Sequence, residues 1–166
     1  IAVDMSLEKP IVTSVKLVAI GDILIHQPVF HDAATLQGGY DFSSMFTKVK
    51  PFLEEADIAV ANQETMIGGA ELGLSGYPLF NSPYEIGDAL KDSGIDLVTI
   101  ANNHTLDKGE KGIINALNYW DSIGMAYTGA FKSEEDRVDI RTVNKNGISF
   151  SFLSYSYGTN GLPVPE

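Results

Sequence analysis

The chain has 166 residues, 44% hydrophobic and 20% charged, a composition that fits one globular domain and excludes a disordered tail. Eleven basic against 22 acidic residues give a net charge of −11, which argues against nucleic acid and against an anionic membrane surface, since both call for a basic footprint. With no cysteine in the sequence, disulfides, thiolate metal sites and a cysteine nucleophile are excluded together.

Residues 1–14 form a polar leader containing Pro10. The chain opens on Ile1, not methionine, which leaves room for a targeting segment or membrane anchor ahead of it. No apolar run approaches the roughly 18 residues of a spanning helix. Residues 15–20 (VKLVAI) are an apolar run stopped by Gly21 and Asp22, the pattern of a buried strand entering a turn. A short helix is expected over 28–36, broken by Gly38 and Gly39. A second is expected over 43–56, with Phe46, Val49, Phe52 and Leu53 on one face and Pro51 restarting or kinking it.

Residues 57–61 (DIAVA) form a second buried strand, and the glycine-rich stretch 68–77 reads as a flexible surface loop. A helix over 83–93 has Pro83 in its first turn and Gly94 at its C-terminus. Residues 96–101 are a third buried strand. A helix over 110–123 follows, with Ile113, Ile114, Leu117 and Trp120 along its core side and Gly124 just past its end. Residues 126–128 are a short fourth strand, and Ser133 begins a solvated helical turn, SEED. Residues 138–143 and 148–155 flank Asn144, Lys145, Asn146 and Gly147 as a hairpin. Strands alternating with helices specify an α/β fold with a parallel sheet, to which the hairpin adds an antiparallel portion.

In such a sheet, ligands bind beyond the carboxyl ends of the strands. The first strand ends at Asp22, with His26 four positions on. The second ends at Asn62 and Glu64, the third at Asn102, Asn103 and His104, with Asp107 soon after. Carboxylates, amide oxygens and imidazole are donors that Mn²⁺, Mg²⁺, Zn²⁺ or Fe²⁺ accept. Taken singly, each ending has a structural reading. Gly21 and Asp22 make a turn, Asn62 and Glu64 cap, Asn102 and Asn103 tolerate left-handed backbone, and His104 is a hydrogen-bonded core histidine. Three such endings at the same level of one sheet favour a shared pocket. Asn62 and Asn102 are then candidates for substrate contact, and His26 stands beside His104 as a candidate for acid–base work. Ser154 and Ser156 lack a nucleophile-elbow pattern, and Trp120 belongs to the core.

The order VAIGD (18–22), ANQET (61–65) and ANNHTLDKG (101–109), with the helix GEKGIINALNYW behind it, resembles the bacterial poly-γ-glutamate capsule synthesis proteins of the CapA/PgsA type. That family in turn resembles the calcineurin-like metallophosphoesterases. The likeness covers most of residues 15–158. It implies a four-layer αββα architecture that binds divalent metal at strand ends. By position, Asp22 resembles the first-motif metal aspartate, and Glu64 stands where a metal-bridging carboxylate, usually aspartate, is found. Asn103 matches the metal-binding asparagine, and His104 matches the histidine that contacts the scissile phosphate or protonates the leaving group. His26 has no counterpart, because Leu24 occupies the position two after the aspartate.

The family pattern also has later histidines, in a Gly-x-His-x-His ending, whereas the last of the three histidines here is His104. The resemblance therefore implies that residues 15–166 are an N-terminal part of the domain, with open sheet edges that favour a homo-oligomer. It implies a metal-dependent hydrolase acting on a phosphoester or on polyglutamate itself. The alternative is a non-catalytic, polymer-binding subunit among other membrane capsule synthesis subunits. Either would work at the extracellular face, anchored in the membrane.

Overall fold

The computed structural model describes residues 11–165, so residues 1–10 of the expected leader lie outside the described residues. Four strands, β1 (Leu17–Asp22), β2 (Ile58–Asn62), β3 (Leu97–Thr99) and β4 (Ala126–Thr128), form a wholly parallel sheet in sequence order. The register runs from Leu17 opposite Ile58 to Asp22 opposite Asn62, and from Val60 opposite Leu97 to Asn62 opposite Thr99. Strand β2 has a neighbour on each side, and its side chains alternate between two apolar layers. Ala59 and Ala61 face one layer, Ile58 and Val60 the other.

The helices lie on one face, as strictly sequential crossovers of one hand require. They are α1 (Gln27–Asp32), α2 (Ser43–Phe46), α3 (Lys50–Glu54), α4 (Glu85–Asp92) and α5 (Gly109–Ser122). Phe30, Phe46, Leu53, Ile86, Leu90, Leu117 and Trp120 pack with Ala59, Ala61, Val98 and Ile100 into the main core. Gly87 lets α4 close on α5, since a Cβ there would sit 2.8 Å from the Trp120 ring. On the opposite face Ile58, Val60 and Leu97 are covered by Val15, Val143, Phe150 and Phe152. That cover comes largely from the hairpin β5 (Thr142–Lys145) and β6 (Ile148–Ser151). Its two-residue turn places Asn146 at φ 50 and Gly147 at φ 78, the left-handed pair that a tight hairpin demands.

Several expected elements differ. The helix over 28–36 stops at Asp32, and Leu36 is fully solvent-exposed beside the Gly38–Gly39 turn. The helix over 43–56 is two short helices, α2 and α3, with Pro51 in the first turn of the second. Phe46 and Leu53 are buried, but the break carries Val49 and Phe52 to the surface. Val138 ends α6 (Glu134–Val138) instead of starting the hairpin, because Ser133 caps this helix by accepting from the Asp136 amide. The glycine-rich stretch is packed at its start: Gly68 and Gly69 are buried, and residues 70–72 form one 3₁₀ turn. Asn81, fully buried, holds it by accepting from Gly68 N at 2.9 Å and donating to Gly69 O at 2.8 Å and Gly73 O at 3.0 Å.

Candidate active site

The carboxyl ends of β1, β2 and β3 come together as parallel pairing requires. A bulge between Ile20 and Asp22 leaves Gly21 out of register and sets Asp22 beside Asn62. Asn62 then lies at the centre of a lattice. Its Nδ2 donates to Asp22 Oδ1 at 2.6 Å and to Asn102 Oδ1 at 3.0 Å, while its Oδ1 accepts from Thr99 Oγ1 at 2.9 Å. Asn102 donates to the Gln63 carbonyl at 3.0 Å, and its own amide nitrogen donates to Thr105 Oγ1 at 2.8 Å. Asn62 and Asn102 therefore spend most of their hydrogen-bonding capacity on each other and on orienting Asp22.

Glu64 is half-buried, next to Asp22. Burial, and after it the Asp22 carboxylate, push its carboxyl above the usual glutamate range, against an opposing pull from His104 and His26. Among the described residues, the lysine and arginine ion pairs all lie elsewhere, so neither residue type pairs with Asp22 or Glu64. Two neighbouring carboxylates without a lysine or arginine partner fit a divalent ion in charge and in donor chemistry. Among the described residues, no group of three His, Cys, Asp or Glu side chains is drawn together as a ready ligand set. A cation held by Asp22 and Glu64 would need its further donors from other groups, such as amide oxygens.

The histidines flank a residue that sequence reasoning missed. Phe80, itself buried, meets His104 edge-on at 4.7 Å between ring centroids and His26 at 4.9 Å. His26 is exposed, immediately before α1, whereas His104 is buried. Asp107 was missed as well, having been noted only for its place after the motif. Its Oδ2 lies 2.7 Å from His104 Nδ1 and accepts from Phe80 N at 2.7 Å. The His-x-x-Asp spacing in a turn is the signal that could have found it. Asn103 points a different way: its Nδ2 donates to Asn160 Oδ1 at 3.2 Å, at a pocket of about 540 Å³ lined also by Tyr155, Tyr157 and Thr159.

Residues 16–165 match the family described as bacterial capsule synthesis protein PGA_cap. The chain belongs to this capsule synthesis family. It is 24% identical over 147 residues to the capsule biosynthesis protein CapA of Bacillus anthracis, covering 82% of this chain and 33% of that protein. It is also 29% identical over 129 residues to the uncharacterized protein y4sH of Sinorhizobium fredii, covering 74% of this chain and 26% of that one. This capsule synthesis chain thus spans about a quarter to a third of the length of the relatives it matches. The mixed α/β architecture with a parallel sheet and C-terminal hairpin is consistent with that membership.

Proposed function

We propose that the domain acts in poly-γ-glutamate capsule synthesis as a divalent-metal-dependent hydrolase, on a phosphoester or on the polymer. The observation that carries this reading is the pair of carboxylates, Asp22 and Glu64, at the ends of the adjacent strands β1 and β2, with no lysine or arginine paired to either among the described residues. Asp22 and Glu64 would hold the ion, which when bound supplies a Lewis acid and an acidified water. Asn103, turned toward Asn160 in this structure, would have to swing toward Asp22 and Glu64 to add its Oδ1 as a neutral donor. Asn62 holds Asp22 in place and Asn102 holds Asn62, and both would contact substrate at these strand ends. His104 donates a proton to the leaving group, and His26, across Phe80, is exposed for contact with substrate.

The one-sided helix layer on a parallel sheet supports the four-layer αββα architecture of calcineurin-like metallophosphoesterases as the fold of the whole domain. The family's role supports polyglutamate or a phosphoester as substrate, other capsule synthesis subunits as partners, and an anchored location at the extracellular face. A polymer-binding role without turnover is the second reading, favoured by the open pocket with exposed Tyr155 and Tyr157 next to Asn103. A phosphoesterase and polyglutamate hydrolysis screen with Mn²⁺ decides between them. Turnover lost in Asp22→Ala and His104→Ala supports the hydrolase. Saturable polymer binding without turnover, unaffected by Asp22→Ala, supports the second reading.

A further inference from the structure

Three buried polar side chains, Gln63, Thr65 and Ser82, tie together the segments that carry the candidate site. Thr65 Oγ1 lies 2.9 Å from Ser82 Oγ and accepts from the Ile25 amide at 3.3 Å. Gln63 Nε2 donates to the Thr65 carbonyl at 2.7 Å, and it reaches Thr65 Oγ1 and the Ile23 carbonyl, both at 3.3 Å. The Ile23 carbonyl accepts in addition from the amides of Glu64 at 3.2 Å and Thr65 at 3.4 Å. One carbonyl, next in the chain after Asp22, thus gathers backbone and side-chain donors from the turn that bears Glu64.

The orientation of the Gln63 amide follows from its neighbours. Two of the three atoms around Nε2 are carbonyl oxygens, which only accept, so a flipped amide would set oxygen against oxygen. In the orientation that remains, Oε1 is buried with no hydrogen-bond partner among the described residues. A buried acceptor of this kind is destabilising, and an apolar side chain of the same length would not carry it. What the polar side chain supplies instead is the clasp made by its Nε2.

We propose that Gln63 is a positioning residue for Glu64: its buried amide pins the turn after β2 to the Ile23 carbonyl, and so sets the second carboxylate against Asp22. This proposal rests on the reading of Asp22 and Glu64 as ligands of one divalent cation, and it adds the group that fixes their spacing. Asn62 holds the first carboxylate through its side chain, and Gln63, the next residue, holds the second through the backbone. Through Thr65 and Ser82 the clasp extends to the loop before α4 that carries Phe80.

Gln63→Met keeps the length of the side chain and removes its hydrogen-bonding atoms. Two measurements on the intact protein test the proposal: amide hydrogen exchange by NMR without metal, and calorimetric titration of Mn²⁺. In Gln63→Met the Glu64 and Thr65 amides should exchange at least about tenfold faster than in wild type, beyond any change at the Ile100 amide, which is bonded to Thr128. The same variant should bind Mn²⁺ about 10- to 100-fold more weakly. Leu53→Ala, which opens a cavity in the main core, should lose stability yet bind Mn²⁺ as wild type does. Glu64 and Thr65 amides that exchange no faster, or that speed up only in step with Ile100, overturn the proposal. Mn²⁺ affinity unchanged in Gln63→Met, or weakened as much in Leu53→Ala, overturns it as well. The Gln63 side-chain amide of wild type should itself exchange slowly, and exchange there at the rate of a solvent-exposed amide overturns the proposal even if Gln63→Met does not fold. Absence of Mn²⁺ binding by wild type counts against the cation reading alone, because the exchange rates are read without metal.

Discussion

Asn62 donates its Nδ2 hydrogen to Asp22 Oδ1 at 2.6 Å, joining the end of β2 to the end of β1. The same side chain accepts from Thr99 and donates to Asn102, so one amide orients three strand ends. Asn62→Ala leaves Thr99 and Asn102 short of partners, and we expect a loss of about 2 kcal/mol in urea unfolding. Freed from its donor, Asp22 should also bind Mn²⁺ about 10- to 100-fold more weakly, the range typical of groups that orient metal ligands.

Glu64 sets a pH dependence. Its folded-state pKa lies above the ordinary glutamate value because of burial and then Asp22. The native state therefore holds this proton longer than the unfolded chain, and ionisation works against the fold. That penalty is absent at pH below the ordinary glutamate range and grows as pH rises through the folded value. In chelator-treated protein, Glu64→Gln should melt a few degrees above wild type near neutral pH. The gap should close in melts taken at pH about 4 and below. A gap that widens on acidification would contradict the assignment.

Phe80 separates the two histidines and is buried. Removing its ring in Phe80→Ala should cost about 3–5 kcal/mol in chemical denaturation. Phe80→Leu keeps most of the volume and should stay folded, but without the edge contacts both imidazoles should show broader NMR signals.

Gly69 has φ +87, and a Cβ there would lie 2.4 Å from the Tyr84 ring and from Glu71 Oε2. Gly69→Ala should therefore destabilise the protein by more than about 2 kcal/mol in thermal or urea melts, while Gly73→Ala, with open space around it, should cost less.

That pair of glycines shows where sequence reading stops. A run of glycines and polar residues has the composition of a mobile loop, and nothing within the run says that Asn81, just beyond it, will fold back and clasp it. The strands were legible because VKLVAI, DIAVA and DLVTIA are apolar runs ended by polar residues, and parallel pairing then carried Asp22, Asn62 and Asn102 together. Pro51 announced the break between α2 and α3, but the loss of Val49 and Phe52 from the buried face depends on the angle between two short helices. Phe80 was hidden for a similar reason. It belongs to a long connection, and only tertiary folding places it between His26 and His104.

The proposed hydrolase needs Asp22 and Glu64 to share a divalent cation. Calorimetric titration of Mn²⁺ into the intact protein tests it most directly, beside Asp22→Ala and Glu64→Gln. Saturable binding in wild type, weakened at least about tenfold in each variant, is the predicted result. Binding that both variants retain at wild-type strength, or no binding of Mn²⁺, Mg²⁺, Zn²⁺ or Fe²⁺ by wild type, would contradict it.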